Sequence, residues 1–153
     1  MNRIVILGTG HATVTRCYNT CFVLQTDTTT LLVDAGGGNG ILQRLEQAGI
    51  AIKDLHHMYV THAHTDHILG TIWVIRMVLS ATGYEGRFHV YSHAKVLRVI
   101  SMICGETLSA KHRRLMGERV VMHEVGDGTG FNVGDIGMQS FDIHSKKEPQ
   151  YGF

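Results

Sequence analysis

The chain predicts an α/β fold, a mixed β-sheet flanked by helices. Short β-branched and aromatic runs alternate with longer apolar-periodic segments, in the order strand, helix, strand, helix. A histidine-rich stretch, Thr61-His-Ala-His-Thr-Asp-His67, follows directly on the apolar run Met58-Tyr-Val60, which reads as the end of a strand. At 153 residues, 44% apolar and 18% charged, the chain has the size and composition of one domain with one core.

The elements follow in order. Residues 3–7 read as a strand closed by Gly8-Thr-Gly10; the spacing is not a dinucleotide-binding fingerprint, and no amphipathic helix follows it. Residues 19–25 and 29–33 read as two strands joined by a turn at Asp27. Asp34 ends the second, where a carboxylate is costly to bury without partners, and it either opens a turn or serves the site. Residues 39–48 place Ile41, Leu42, Leu45 and Ala48 on one helical face, with Gly49 as the stop. His56 and His57 precede the motif strand and read as structural. Residues 68–81 predict a helix that is apolar nearly all round, hence buried on more than one side. A strand at 88–91, helices at 94–103 and 109–116, and strands at 119–125, 131–133 and 136–143 complete the order. Lys111, Arg113, Arg114 and Arg119 form the densest basic cluster, either a solvated helix face or a phosphate contact.

Composition excludes little else. Net charge is +1, so no bulk attraction to nucleic acid is expected. No apolar run approaches membrane-span length, and the N-terminus opens on a strand-like run without a leader, so neither membrane nor signal peptide is expected. Cys17, Cys21 and Cys104 are an odd set lacking a Cys-x-x-Cys pair; they read as reduced structural thiols of a cytoplasmic protein, with a metal role for Cys17 and Cys21 as the alternative.

The chemistry concentrates in the histidine stretch. While the chain stays extended, His62 and His64 point the same way and suit one ion. Asp66 and His67, side by side where the pattern breaks, suit a second ion close to the first. Imidazole with hard oxygen suits zinc, and also manganese or iron. The bland alternative is a chain that is simply histidine-rich, with 11 His.

His62-x-His64-x-Asp66-His67 resembles the signature of the metallo-β-lactamase-fold hydrolases. Leu7-Gly-Thr-Gly10, Leu32-Val-Asp-Ala-Gly-Gly37 and Phe141-Asp-Ile-His-Ser145 extend the likeness over almost the whole chain, most closely to the ribonuclease Z branch and the small phosphodiesterase-like enzymes around it. The resemblance implies the N-terminal half of a metallo-β-lactamase-like αββα sandwich, one domain over residues 1–153 that stops after the third metal-ligand motif. It implies that His144 completes the first metal site with His62 and His64, and that Asp34 orients the motif from behind it. His144 as a capping residue is the alternative. His11, beside the first glycines, then lies near the rim and either touches substrate or serves packing; Lys146 and Lys147 can meet an anionic substrate.

The implied activity is zinc-dependent hydrolysis by a metal-bound hydroxide, with Asp66 catalytic, acting on a phosphodiester: RNA at a transfer-RNA precursor's 3′ end, or a smaller molecule. A thioester or lactone hydrolase is the competing enzyme, and an inactive truncated metal-binding or oligomerisation half is the non-enzymatic alternative. Relatives carry a second α/β half that supplies a bridging Asp and a further His, so hydrolysis by this chain alone is expected to be weak. Without that half, residues 31–33, 58–60 and 72–79 are expected to need cover from a second copy or a separate C-terminal half.

Overall fold

Alternation along the central strands decides which side chains meet which layer. In the computed structural model, which describes residues 2–153, six strands form one sheet in sequence order. They are β1 (Arg3–Gly8), β2 (Cys21–Gln25), β3 (Thr30–Val33), β4 (His57–Tyr59), β5 (Phe88–Ser92) and β6 (Val120–Glu124). β1, β2 and β3 pair antiparallel, whereas β3, β4, β5 and β6 pair parallel, so the sheet is mixed as expected. The parallel pairs are bridged by α1 (Gly40–Gln47), α2 (Thr65–Ser80), and the pair α3 (Ala94–Thr107) and α4 (Ala110–Leu115).

Leu32, Met58 and Val90 are in register across β3, β4 and β5, and all three belong to the cluster that packs under the helices with Ile41, Leu45, Val74, Ile75 and Ile100. Their neighbours Leu31, Val33, Tyr59 and Tyr91 point to the opposite face. There they meet Val133 and Met138 from a hairpin of β7 (Gly130–Val133) and β8 (Ile136–Gln139). Two short strands, β9 (Phe141–Asp142) and β10 (Tyr151–Gly152), pair with each other beyond it.

The hairpin overturns the expectation that the central strands stand uncovered. Residues 31–33 and 58–60 are all 2% exposed or less, because the chain folds its own hairpin back over that face. Apolar exposure lies elsewhere, at Ile4 (64%) and Ile6 (59%) on the edge strand. On α2, Val74, Ile75, Val78 and Leu79 are buried but Trp73 and Met77 face outward, so the helix is not enclosed all round. Among the described residues, no helix is long and apolar enough to cross a membrane.

Three boundaries differ from the sequence expectation by more than two residues, one of them the end of α3, which runs to Thr107 rather than residue 103. α2 begins at Thr65 rather than Ile68, and the amides of His67 and Ile68 both bond the His64 carbonyl, at 3.0 Å. The expected strand over 136–143 breaks at Ser140, which is fully buried and turned onto the 126–129 loop: its hydroxyl bonds the Gly126 carbonyl and its amide the Thr129 carbonyl. Two cations of the basic cluster are occupied within the fold. Arg113 donates to the Leu108 carbonyl after α3, and Arg119 lies 3.5 Å from the Val78 and Leu79 carbonyls at the end of α2. Cys21 and Cys104 are buried free thiols, and Cys17 is exposed.

The strand histidines make a row on the hairpin face. His57 stacks on its register partner His89, whose Nδ1 lies 2.8 Å from His123 Nε2. His57 Nδ1 is buried without a hydrogen-bond partner. Burial, reinforced by neighbouring His89, His56 and His123, lowers its pKa from 6.5 to about 4. The unfolded chain therefore binds the extra proton first, and stability falls as pH drops from about 6.5 toward about 4. Chemical denaturation across that window is expected to show a shallower pH slope for His57→Phe than for the unmodified chain. An unchanged slope would mean that His57 does not titrate in this way.

Candidate metal centre

The motif sits where the parallel strands end, the usual location for ligand sites in open α/β sheets. Asp34 follows β3 and adopts φ +55°, a left-handed conformation that Asp tolerates better than most side chains. Its amide bonds the Tyr59 carbonyl at 2.9 Å, so its carboxylate lies beside the start of the motif after β4. Oδ1 accepts from the Thr61 amide at 2.8 Å, and Oδ2 accepts from the Thr61 hydroxyl at 2.8 Å. Oδ2 also meets His67 Nδ1 at 2.7 Å.

These bonds settle which ring nitrogens are free. His67 donates from Nδ1 to Asp34, leaving the Nε2 lone pair pointing toward Asp66, whose Oδ2 is 3.4 Å away. Because the Thr61 hydroxyl gives its proton to Asp34, its oxygen accepts from His62 Nδ1 at 2.8 Å. His62 Nε2 is then free as well. One buried carboxylate sets the tautomers of two histidines, directly for His67 and through Thr61 for His62.

α2 is held against the glycine loop by two bonds, Ala35 N–H to the His67 carbonyl at 3.0 Å and Gly70 N–H to the Gly36 carbonyl at 2.8 Å. A Cβ on Gly70 would lie 1.8 Å from the Ala35 carbonyl oxygen, so this close approach needs glycine. Asp66 and His67 thus occupy the first helical turn, where the helix dipole favours a carboxylate. The first loop closes on the same residue, with Ala12 N–H donating to Asp66 Oδ2 at 2.9 Å.

The site brings together His62, His64, Asp66 and His67, with ring centroids 4.7 Å apart for His62 and His64 and 4.1 Å for His62 and His67. Burial, then the neighbouring His67, lowers the His62 pKa and keeps it neutral, as ligation requires. For His67, burial acts downward but the Asp34 hydrogen bond and the charges of Asp34 and Asp66 outweigh it, and the pKa is raised. His144 is not brought to this cluster. Its side chain is 86% exposed, its amide is tied to Asp142 Oδ1 at 2.7 Å, and its Nδ1 lies 4.0 Å from Asp142 Oδ2. His11 is exposed one residue before Ala12, and Lys146 and Lys147 are exposed on the loop after β9.

Glu148, which the sequence reading passed over, lies against the cluster instead. Its Oε1 is 2.5 Å from His64 Nε2, and its Oε2 bonds Lys95 Nζ at 2.7 Å. Tyr151 N–H to the Thr61 carbonyl, at 3.0 Å, fastens this segment beside the motif. Nothing in the run Lys147-Glu-Pro149 signals the role by spacing or periodicity.

Among the described residues, two groups have side chains close enough to hold an ion: Asp34, His62 and His67, and His62, His64 and Glu148. In the first, both Asp34 oxygens are already committed to Thr61 and His67, and Asp34 meets His67 at the nitrogen turned away from Asp66. Asp34 is therefore a positioning residue, and Asp66 with His67 Nε2 forms the donor pair. The donor set of imidazole and carboxylate, with tautomers already set for ligation, fits a divalent ion of the zinc type.

Residues 2–153 match the family described as Anti-Pycsar protein Apyc1. The chain is similar to ribonuclease Z of Streptomyces avermitilis, 37% identical over 79 residues that make up 51% of this chain and 26% of that protein. It is also similar to exodeoxyribonuclease YycJ of Bacillus anthracis, 30% identical over 82% of this chain and 42% of that protein. Among solved structures, the short form of human tRNase Z superposes with a TM-score of 0.76 at 16% identity, covering 99% of this chain and 62% of the other. The chain therefore spans less than two thirds of the length of each.

Asp34→Asn keeps a side chain that tolerates the left-handed backbone but turns an accepting oxygen into a donor. Zinc affinity, measured by calorimetry, is expected to fall about 10- to 100-fold. Unchanged affinity would show that Asp34 does not orient the histidines.

Proposed function

The chain belongs to the Anti-Pycsar protein Apyc1 family, with the metallo-β-lactamase fold of ribonuclease Z-like relatives, and from that premise we propose that it is a metal-dependent hydrolase of phosphodiesters. The observation that carries this reading is the pairing of two donor groups around His62: His64 on one side, and Asp66 with His67 on the other. Adjacent donor groups suit a two-ion clamp on the oxygens of a phosphoryl group. Divalent ions supply Lewis-acid polarisation and a lowered water pKa when bound; the residues supply position.

On this reading His62 and His64 hold one ion, and Asp66 and His67 hold the other. Zinc is the expected metal, with manganese or iron as substitutes. Asp66 Oδ2 is pinned by the Ala12 amide and faces His67, which leaves its second oxygen to hold the attacking water and take its proton. The N-terminus of the 16-residue α2 adds a positive dipole end at the reacting centre. Lys146 and Lys147 on the neighbouring loop supply charge for an anionic substrate. The nuclease names of the relatives favour a nucleotide phosphodiester, RNA or a smaller molecule, over the thioesters and lactones that the same chemistry also opens.

The test is a rate comparison on the metal-loaded chain, using an aryl phosphodiester, an aryl thioester and a lactone. The phosphodiester is expected to turn over fastest, even if slowly, and chelation is expected to abolish that turnover. Asp66→Ala is expected to lower it about 100-fold or more. Faster hydrolysis of the thioester or lactone, or turnover that survives chelation, would overturn the reading.

A further inference from the structure

Glu148 is an unusual neighbour for two imidazoles. Its side chain is 11% exposed, and Oε1 is buried without a hydrogen bond although it lies 2.5 Å from His64 Nε2. That contact is close but not directed as a hydrogen bond. A buried carboxylate oxygen left without one is costly, and rotation toward donors is the normal remedy. Here the other oxygen is anchored to Lys95 on α3, and the backbone is fastened to Thr61, so Oε1 is held on the histidines.

We propose that Glu148 is a ligand of the first metal ion, completing with His62 and His64 a two-histidine, one-carboxylate set. The inference rests on the metal-site reading above and replaces His144, the third ligand that the sequence resemblance implies. The ligand atoms of His62, His64 and Glu148 all lie within 4.8 Å of one another, whereas His144 faces outward. Two imidazoles and a glutamate form an established hydrolytic zinc set. Lys95 then plays the part that outer partners play for ligating carboxylates, fixing the orientation of Oε1 through Oε2. A hard oxygen in place of a third imidazole makes the site more hospitable to manganese.

The experiment titrates zinc and manganese(II) against a chromophoric chelator for the unmodified chain, Glu148→Gln, Lys95→Ala and His144→Ala, with melting curves of the chelated proteins as the folding control. Glu148→Gln keeps the shape and an acceptor for Lys95 but removes the charge. It is expected to weaken the tighter site about 100-fold or more, and Lys95→Ala about 10-fold. His144→Ala is expected to leave that site unchanged. X-ray absorption of the zinc-loaded chain, which needs no variant, is expected to count two imidazoles at an ion limited to the tighter site. Three imidazoles, or a loss of affinity in His144→Ala with none in Glu148→Gln, would overturn Glu148 as the ligand while leaving the metal-dependent reading intact. An unmodified chain that binds neither metal would overturn both.

Discussion

The hydrogen bonds of the Asp34 carboxylate are the constraint on which the rest of the site depends. Asp34, at the end of β3, accepts two donors from Thr61 after β4, its amide and its hydroxyl, and one from the first turn of α2, His67 Nδ1. The group is 4% exposed, so its charge is supportable only because those donors are present. In the neutral rings of His62 and His67 the same bonds place the proton on Nδ1 and leave Nε2 bare, the tautomer that a metal requires. Structural satisfaction and chemical preparation are therefore one event. A fold that lost these bonds would leave a buried charge unpaired and two imidazoles free to adopt either tautomer.

The scaffold delivers the donors by ordinary packing rules. Parallel β3 and β4 place Asp34 and the motif side by side at their carboxyl ends, and α2 must start at once to return the chain to β5. Gly70 allows that helix to settle on the Ala35 carbonyl, which fixes the height of Asp66 and His67 above the sheet. On the far face, the β7–β8 hairpin closes over Leu31, Val33 and Tyr59, on the two strands that end at Asp34 and at the motif. The hairpin supplies from within the chain much of the cover expected from another sheet, while Ile4 and Ile6 mark where that cover stops.

Much of this was legible in the sequence because it rests on short-range pattern. The order of strands and helices, the extended His62 and His64 pair, and the cost of burying Asp34 all follow from periodicity and side-chain chemistry. The start of α2 was not legible. His64 occupies the cap position without a side-chain hydrogen bond, so the usual Ser, Thr or Asp signal is missing, and the apolar period begins only at Ile68. The break at Ser140 left a local trace, since the apolar residues stand at 136 and 138 before it and at 141 and 143 after it, but the 126–129 loop that captures its backbone gives no signal at that position. Glu148 and His144 show the limit most clearly. Whether a side chain on a loop after the last long strand turns toward the centre depends on Lys95 and Thr61, more than fifty residues away, and no local spacing encodes that.

Imidazole tautomers measured by nitrogen-15 NMR on the metal-free chain at neutral pH test the organising role of Asp34 most directly. The account predicts that His62 and the neutral form of His67 both carry their proton on Nδ1, with Nε2 bare. A proton on Nε2 of either ring would contradict it, because the carboxylate would then not be setting the histidines for metal binding.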